Sequence, residues 1–450
     1  CVLTVYVNMF WFYMVGYGFF LCCFYYRDLF SFSTLLSFYL PTSDTGNSSV
    51  KKAPEWAVDA SIYEVNIRQF TPEGTFRAFE EHLPRLKEMG VKILWLMPVH
   101  PIGEQNRKGG LGSYYSVKDY KAVNPEFGTL EDFRNLVQKT HELGMYLIID
   151  WVANHSAFDC PLATQHPEWY QRDRKGQFVS PFDWTDVIAF DYSQQGIRNY
   201  MKETMFWWVK EMNIDGFRCD VAGMVPVDFW NSLRTKLEEV KPVFMLAEAE
   251  EIPLMEKAFD ADYSWKLMNL MKEVYEGKKE AGLLHEYVMQ TKMKYPAGSF
   301  KMNFTSNHDE NSWAGTEYER YGNAALPLAV FTATIPGMPL IYNGQEEPMK
   351  KRLRFFEKDT IPFANYDLMN FYQTLFLLKQ ENAALWNGTK GGEYIPVDNI
   401  GGASVISFLR HKDNNRVFVV INLSDRETKA SFKENQIFGK YRDAFNLTVP

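Results

Sequence analysis

The chain has 450 residues, of which 46% are hydrophobic and 16% aromatic, and its formal net charge is −8. This length is sufficient for a large domain together with a smaller one. The negative charge and the lack of a basic cluster argue against nucleic acid as a partner. The five cysteines, at positions 1, 22, 23, 160 and 219, have no CxxC spacing, which argues against a zinc site and against a disulfide scaffold.

Residues 1–40 form an apolar segment that is unusually rich in aromatic residues. No charged residue precedes Arg27, so the run is long enough to span a membrane, but it lacks the basic start of a standard signal peptide. We expect a membrane or signal-like segment, with membrane contact and an exported protein. The alternatives are a non-native translation outside the reading frame and an ordered part of the fold. Residues 41–54 are polar and predict a linker.

Strands and helices alternate along the chain from about residue 55. Residues 61–68 alternate in polarity and predict a first strand, and the apolar run 91–99 predicts a second strand that is buried on both faces. Between them, residues 75–89 have helical spacing and stop at a glycine. Residues 129–132 resemble a capping box at the start of the next helix. This alternation predicts parallel βα units.

Four apolar runs end in polar residues of the same kind. The runs are 147–155, 215–221, 243–250 and 304–310, and each has Asp, Glu, His or Asn as its last residue or the one before it. Structural ion pairs do not usually collect at the same end of four successive strands. Catalytic groups of a (β/α)8 barrel do, because its active site lies at the C-terminal ends of the strands. The pattern therefore predicts a (β/α)8 barrel with an active site.

These four segments resemble, in order, the four signature regions of the α-amylase family of glycoside hydrolases. The resemblance begins near Pro54 and extends to the C-terminus. It implies a (β/α)8 TIM barrel over residues 55–386, with a short inserted subdomain at 156–190 after the third strand. It also implies a C-terminal all-β sandwich domain over residues 387–450, which we expect to be truncated.

The residues of these runs predict the chemistry of a retaining glycosidase, which needs two carboxyl groups about 5–5.5 Å apart. Asp220 is the predicted nucleophile, and Arg218, on the same face of the strand, is expected to keep its pKa low. Glu248 is the predicted general acid, with a pKa raised by burial and by nearby carboxylates. Glu250 shares the face of Glu248, and only the resemblance selects Glu248. Asp309 resembles the family's third carboxylate, which binds sugar hydroxyls.

The resemblance also implies substrate-binding residues. Tyr115, four residues before Asp119, resembles the tyrosine that stacks on the sugar at the cleavage site. His155 and His308 are expected to form hydrogen bonds to the same sugar. Asn154 matches a family calcium ligand and is a candidate ligand for Ca²⁺, although the chemistry itself requires no metal or other cofactor.

One departure from the family pattern bears on specificity. Gly223 and Met224 stand where many starch-cleaving members carry Lys-His. We therefore predict hydrolysis of α-1,4-glucosidic bonds in starch, glycogen or maltooligosaccharides through a covalent glycosyl-Asp intermediate, with a weaker case for endo-acting cleavage. Within the family, the alternative is an exo-acting α-glucosidase or a transglycosylase or isomerase. Outside it, the alternative is a non-catalytic, membrane-anchored barrel subunit.

Overall fold

Eight parallel strands close into a barrel, which confirms the predicted fold. The computed structural model describes residues 11–14, 19–24, 53–400, 402, 404–424, 426–432, 437 and 441–445. The barrel strands are β1 (Ile62–Val65), β2 (Ile93–Leu96), β3 (Tyr146–Trp151), β4 (Gly216–Cys219), β5 (Phe244–Ala247), β6 (Ala261–Tyr263), β7 (Phe300–Asn303) and β8 (Met338–Tyr342). Pairing of Leu340 in β8 with Ile62 in β1 closes the ring.

At least one helix lies between each pair of successive barrel strands, and α13 follows β8. In chain order they are α1 (Ile67–Phe70), α2 (Phe76–Glu80), α3 (Leu83–Glu88), α4 (Leu130–Glu142), α5 (Pro161–Gln165), α6 (Gln195–Glu211), α7 (Val227–Glu238), α8 (Ile252–Met255), α9 (Trp265–Tyr275), α10 (Gly282–Lys294), α11 (Glu317–Tyr321), α12 (Ala325–Thr334) and α13 (Met369–Glu381). The capping box at the start of α4 is present, since Thr129 and Asp132 bond reciprocally.

The helix predicted over residues 75–89 is two helices, α2 and α3. Pro84 lies in the first turn of α3. A proline is tolerated there because that turn has unpaired N–H groups, whereas inside a continuous helix it would remove a hydrogen bond and clash with the preceding turn. The chain therefore breaks just before this proline.

The seventh strand lies earlier than the sequence pattern predicts. The run 304–310 was expected to be strand-like, but β7 is Phe300–Asn303 and the run continues beyond it into a loop. A short π-helix, Glu310–Ala314, follows Asp309. The pattern missed β7 because the strand contains Lys301, and a lysine is uncommon in a buried strand. Here Lys301 Nζ lies 2.9 Å from Asp262 Oδ1, so the buried charge is paired.

The predicted insertion after β3 has its own short pair of strands. His155–Ala157 pairs antiparallel with Val187–Ala189, and α5 lies between them. The loop before the second of these strands contains Trp184 and Asp186. Both residues line the cavity at the C-terminal end of the barrel.

The C-terminal region is all-β, as predicted. Its strands are β9 (Glu393–Pro396), β10 (Asn399–Ile400), β11 (Val405–Lys412), β12 (Asn415–Asn422), β13 (Thr428–Phe432) and β14 (Arg442–Asp443). One sheet pairs β9, β11 and β12 in that order, and β10 pairs with β13 in a second sheet. The expectation that this domain is truncated stays a prediction.

Two short strands of the N-terminal segment join these sheets. Trp11–Met14 pairs with β13, and Phe19–Phe24 pairs with β12, both antiparallel. This arrangement agrees with the alternative of an ordered part of the fold for those ten residues. The other residues of 1–40, and residues 41–52 of the predicted linker, lie outside the described part. Within the part that is described, no helix is both long and apolar enough to cross a membrane.

Candidate active site

A cavity of about 530 Å³ opens at the C-terminal ends of the barrel strands. Six of the seven residues predicted to act on substrate line it: Tyr115, His155, Asp220, Glu248, His308 and Asp309. The barrel brings them together because parallel strands place their C-terminal ends at one face of the sheet. The seventh, Arg218, lies directly beneath the cavity.

Arg218 is the centre of the polar cluster. Strand β4 carries its fully buried side chain, whose Nη1 lies 2.9 Å from Asp150 Oδ1 and 3.0 Å from Asp220 Oδ1. Its Nη2 lies 3.0 Å from Glu248 Oε1, and its Nε donates to the Tyr263 hydroxyl at 3.1 Å. A guanidinium is planar and presents its donors in a rigid fork. One guanidinium therefore contacts both predicted catalytic carboxyl groups, and both of these line the cavity.

The pKa of Asp220 differs from the expected one. Burial raises the pKa of this carboxyl to about 6, and although Arg218 pulls it down, the charge of Asp150 adds to the rise. The expectation of a low pKa is wrong because removal from water penalises the carboxylate more than one shared guanidinium compensates. Asp220 is still ionised for the most part at neutral pH.

The pKa of Glu248 is raised, as predicted. Burial is the largest cause, the charges of Asp220 and Asp309 add to it, and Arg218 opposes it; together they bring the pKa to about 8. Glu248 therefore carries its proton at neutral pH while Asp220 does not. Two carboxyl groups with pKa values on opposite sides of neutrality are what an acid and nucleophile pair requires.

The backbone after Asp220 orients Glu248. Val221 has φ 36° and ψ 48°, a left-handed conformation that is unusual for a β-branched residue, and its N–H donates to Glu248 Oε2 at 2.7 Å. The rival carboxylate, Glu250, points elsewhere. Its Oε1 lies 3.4 Å from Lys301 Nζ, and it is absent from the residues that line the cavity. The geometry therefore selects Glu248, which spacing alone did not.

His308 joins three polar groups at the other wall of the cavity. Its Nδ1 lies 2.5 Å from Glu64 Oε1, and its Nε2 lies 2.8 Å from the Tyr115 hydroxyl and 3.3 Å from Asp309 Oδ2. Burial lowers the pKa of His308, but Asp309 and Glu64 outweigh it and raise that pKa well above its usual value. Burial raises the pKa of Asp309, but the positive charge of His308 outweighs it and the net pKa is lowered.

His155 is the opposite case. Its Nε2 lies 4.0 Å from Asp220 Oδ2, and burial lowers its pKa to about 3, so the ring is neutral. Its Nδ1 lies 3.2 Å from Asn154 Nδ2, so an N–H of the amide donates to the ring.

The surroundings of Asn154 do not fit a calcium site built from carboxylates. Calcium takes six to eight oxygen ligands, most of them carboxylate or carbonyl oxygens. Among the described residues, no group of three or more His, Cys, Asp or Glu side chains is placed to hold a metal ion. The side chain of Asn154 instead contacts His155 Nδ1 and orients that ring.

Several residues of the site were not assigned a role from the sequence. Asp150 accepts hydrogen bonds from Arg218, Tyr115 and Trp95. The sequence could have identified it, because it is the first polar residue after the apolar run that starts at residue 147. Glu64 and Tyr263 lie in strands and gave no signal. The remaining cavity wall comes from loops: Lys108, Ser113, Asp183, Trp184, Asp186, Val187, Trp313, Phe355 and Phe356.

A closed (β/α)8 barrel with a cluster of carboxyl groups at its C-terminal face is typical of barrel enzymes. Comparison with known proteins identifies the family. The family model described as "Alpha amylase, catalytic domain" matches residues 42–175 and 163–370. The solved structure of a maltogenic α-amylase, AmyB, from Thermotoga neapolitana is 35% identical with a TM-score of 0.75, covering 81% of this chain and 86% of that one. An α-amylase from Lactobacillus plantarum is 30% identical with a TM-score of 0.71, covering 79% and 86%.

A curated relative, α-amylase MalA of Haloarcula japonica, is 27% identical over 416 residues, which are 87% of this chain and 60% of the relative. The chain thus spans less than two thirds of that relative's length. The chain belongs to the α-amylase family of glycoside hydrolases.

Proposed function

We propose that the protein is a retaining glycoside hydrolase that cleaves α-1,4-glucosidic bonds, with maltooligosaccharides as its preferred substrates. The observation that carries this proposal is the pair of carboxyl groups on Arg218. Asp220 and Glu248 contact adjacent nitrogens of one guanidinium at 3.0 Å, and their pKa values are about 6 and about 8. One is therefore ionised and the other protonated at neutral pH, as the retaining mechanism requires.

In the first step, Asp220 attacks the anomeric carbon while Glu248 transfers its proton to the glycosidic oxygen. The carbon–oxygen bond breaks, the shortened sugar leaves with the proton, and a covalent glycosyl ester forms on Asp220. In the second step, ionised Glu248 takes a proton from water, whose oxygen attacks the same carbon and releases Asp220. Two inversions retain the anomeric configuration.

Arg218 supports both steps. While Asp220 is ionised, the guanidinium stabilises its charge, and it holds the carboxylate by the Oδ1 contact, which leaves Oδ2 facing His155. The positive charge also limits how far burial raises both carboxyl pKa values. Arg218 therefore keeps the pKa values of both Asp220 and Glu248 close to neutral pH.

The other predicted residues are proposed to bind the sugar at the cleavage site. Asp309 is ionised and its side chain is 46% exposed, so it is available to accept hydrogen bonds from sugar hydroxyls. Neutral His155 lines the cavity and is available as an N–H donor to the sugar, and charged His308 holds Tyr115 and Asp309 beside it. The ring of Tyr115 is stacked on His308 with centroids 5.4 Å apart, which holds it at the cavity wall beside the sugar.

The cavity supports a preference for short chains. Its volume of about 530 Å³ lies within the range of pockets that enclose a small ligand, roughly 300–1,000 Å³. Trp313, Phe355 and Phe356 form one aromatic wall, and Trp184, which also lines the cavity, packs against His155. This shape, together with Gly223 in place of the family's lysine, favours maltooligosaccharides over the interior of long starch chains.

Relatives with related names support the same substrate class. An intracellular maltogenic amylase of Bacillus subtilis is 24% identical over 400 residues, and an α-1,4-glucan:maltose-1-phosphate maltosyltransferase of Picrophilus torridus is 26% identical over 418 residues. The second name keeps transfer to a sugar acceptor as the alternative within the family. In that case a sugar hydroxyl replaces water in the second step.

The test is product analysis with maltoheptaose, maltose and soluble starch. We expect maltoheptaose to be cleaved faster than starch and the first product to have the α configuration, measured by proton NMR. Asp220→Asn should abolish activity, whereas Glu250→Gln, the matched change outside the cavity, should retain it. A β-configured first product, or full activity of Asp220→Asn, would refute the proposal. Longer products without net release of reducing ends would identify the transglycosylase.

A further inference from the structure

A buried carboxylate, Glu64, stands behind the sugar-binding wall of the site. It lies in β1, a strand whose four residues are all buried, and its side chain is fully inaccessible to solvent. Its Oε1 is 2.5 Å from His308 Nδ1. Its other oxygen, Oε2, has no hydrogen-bond partner in the part of the chain that is described. Among the described residues, His308 is therefore the one hydrogen-bond partner of this carboxylate.

Such an arrangement is costly for folding. A buried carboxyl oxygen without a partner loses its hydration, which costs roughly 1–3 kcal/mol, and a carboxylate costs more unless it is paired. A salt bridge to a single imidazole is a weak source of stability for so complete a burial. The geometry therefore favours a role in the site over a role in stabilising the barrel.

The two histidines of the cavity provide an internal comparison. Both are buried to the same degree, at 2% exposure. His155 has an amide, Asn154, beside its Nδ1, whereas His308 has a carboxylate in the corresponding place. Burial makes the first ring neutral, and the carboxylates beside the second keep it charged. Asp309, near Nε2, is the larger of the two causes that raise the pKa of His308, and Glu64 at Nδ1 is the second. Among the described residues, no carboxylate lies at Nδ1 of His155.

A charged His308 fixes the direction of the hydrogen bonds around it. With protons on both nitrogens, Nδ1–H donates to Glu64 and Nε2–H donates to its neighbours Tyr115 and Asp309. The Tyr115 hydroxyl can then donate to Asp150 Oδ2, which is 3.0 Å away. If His308 were neutral with its proton on Nδ1, its Nε2 would accept instead, and both of these bonds would change direction or be lost.

We propose that Glu64 is a positioning residue, which orients His308 and keeps it doubly protonated so that Asp309 and Tyr115 are held in place to bind the sugar. This rests on the proposed function. The charged and titratable groups that face His308 are Glu64 from β1, Tyr115 from the loop after β2, Asp150 at the end of β3, and Asp309 in its own segment.

The substitution Glu64→Gln tests the proposal, because it keeps the shape and an acceptor for Nδ1–H but removes the charge. We expect His308 to become neutral near pH 7 and kcat/KM for maltoheptaose to fall by about 10- to 100-fold, the size of effect that a small displacement in an active site produces. Glu64→Asp, which keeps the charge, should recover part of the loss.

The titration of His308 distinguishes this role from a purely structural one, which would leave the titration unchanged. It is measured by NMR of the imidazole signals. The chain has eight histidines, and His308→Asn identifies the signal that belongs to this ring. In the wild type we expect this signal to remain that of an imidazolium above pH 7, and in Glu64→Gln to be that of a neutral ring.

Glu346→Gln is the matched control. Glu346 is also a fully buried carboxylate, follows the neighbouring strand β8, and binds Tyr63 and Arg85 rather than His308. It should leave the His308 signal unchanged. A wild-type His308 that titrates below pH 6.5, or one that stays charged in Glu64→Gln, would overturn the proposal. Because these signals are read without substrate, they are independent of whether the proposed reaction is correct.

Discussion

The protonation states of Asp220 and Glu248 predict a bell-shaped pH dependence of kcat/KM. The pKa of Asp220 is about 6 and that of Glu248 about 8, both raised chiefly by burial. Below about pH 6, Asp220 becomes protonated and cannot attack. Above about pH 8, Glu248 loses the proton that the leaving oxygen needs. The active form is therefore most populated near pH 7, and kcat/KM should fall by about tenfold per pH unit outside this window.

The separation of the two pKa values sets how strongly the active form is favoured. A difference of about two pH units between the two pKa values corresponds to about 3 kcal/mol. The arrangement with the proton on Asp220 and the charge on Glu248 is therefore about 100-fold less populated than the active one. The charge of Arg218 contributes to both values, so Arg218→Lys should move both limbs toward higher pH, because a lysine cannot match the fork of contacts.

The assay is the measurement of kcat/KM from about pH 4 to about pH 10, with maltoheptaose for the wild type and Glu250→Gln. Glu248→Gln is measured with an aryl maltoside, whose phenolate leaves without a proton. With this substrate, Glu248→Gln should retain activity in the first step but lose the alkaline limb. Glu250→Gln should keep both limbs. The reasoning is refuted if the alkaline limb persists in Glu248→Gln, or if it disappears in Glu250→Gln, because that limb would then belong to another group.

Three further predictions concern stability. Thr129→Ala removes the capping box of α4 and should cost about 1 kcal/mol in urea unfolding, and an unchanged midpoint would contradict it. Val221→Asn should stabilise the fold by about 1 kcal/mol, because asparagine tolerates the left-handed conformation better, and a loss of stability would show that the valine is not strained. Burial raises the pKa of Glu317 from 4.5 to about 7, so the folded state binds this proton more tightly than the unfolded state. The wild type should therefore lose stability, up to about 3 kcal/mol, as pH rises from about 4.5 to 7. In melting experiments across this range, Glu317→Gln should lack this part of the pH dependence, and parallel curves for the two proteins would refute the assignment.

The sequence alone was sufficient for the barrel and for most residues of the site. Parallel strands buried on both faces are continuous apolar runs, and a polar residue at the end of such a run marks the C-terminal face of the barrel. Asp220 and Glu248 follow β4 and β5 directly, so this local signal located them. It failed at β7, because a buried lysine interrupts the apolar pattern and the functional pair lies several residues beyond the strand.

Local pattern determined which residues reach the C-terminal face, and only the tertiary structure decided how they act there. Glu64 and His308 are 244 residues apart and meet only because β1 and the loop after β7 face the same cavity. The choice between Glu248 and Glu250 depended on which carboxylate Arg218 contacts and which one Lys301 binds. The pKa of Asp220 depended on the loss of solvent around it. Desolvation and long-range pairing are produced by residues distant in the chain, so periodicity and spacing carry no record of them.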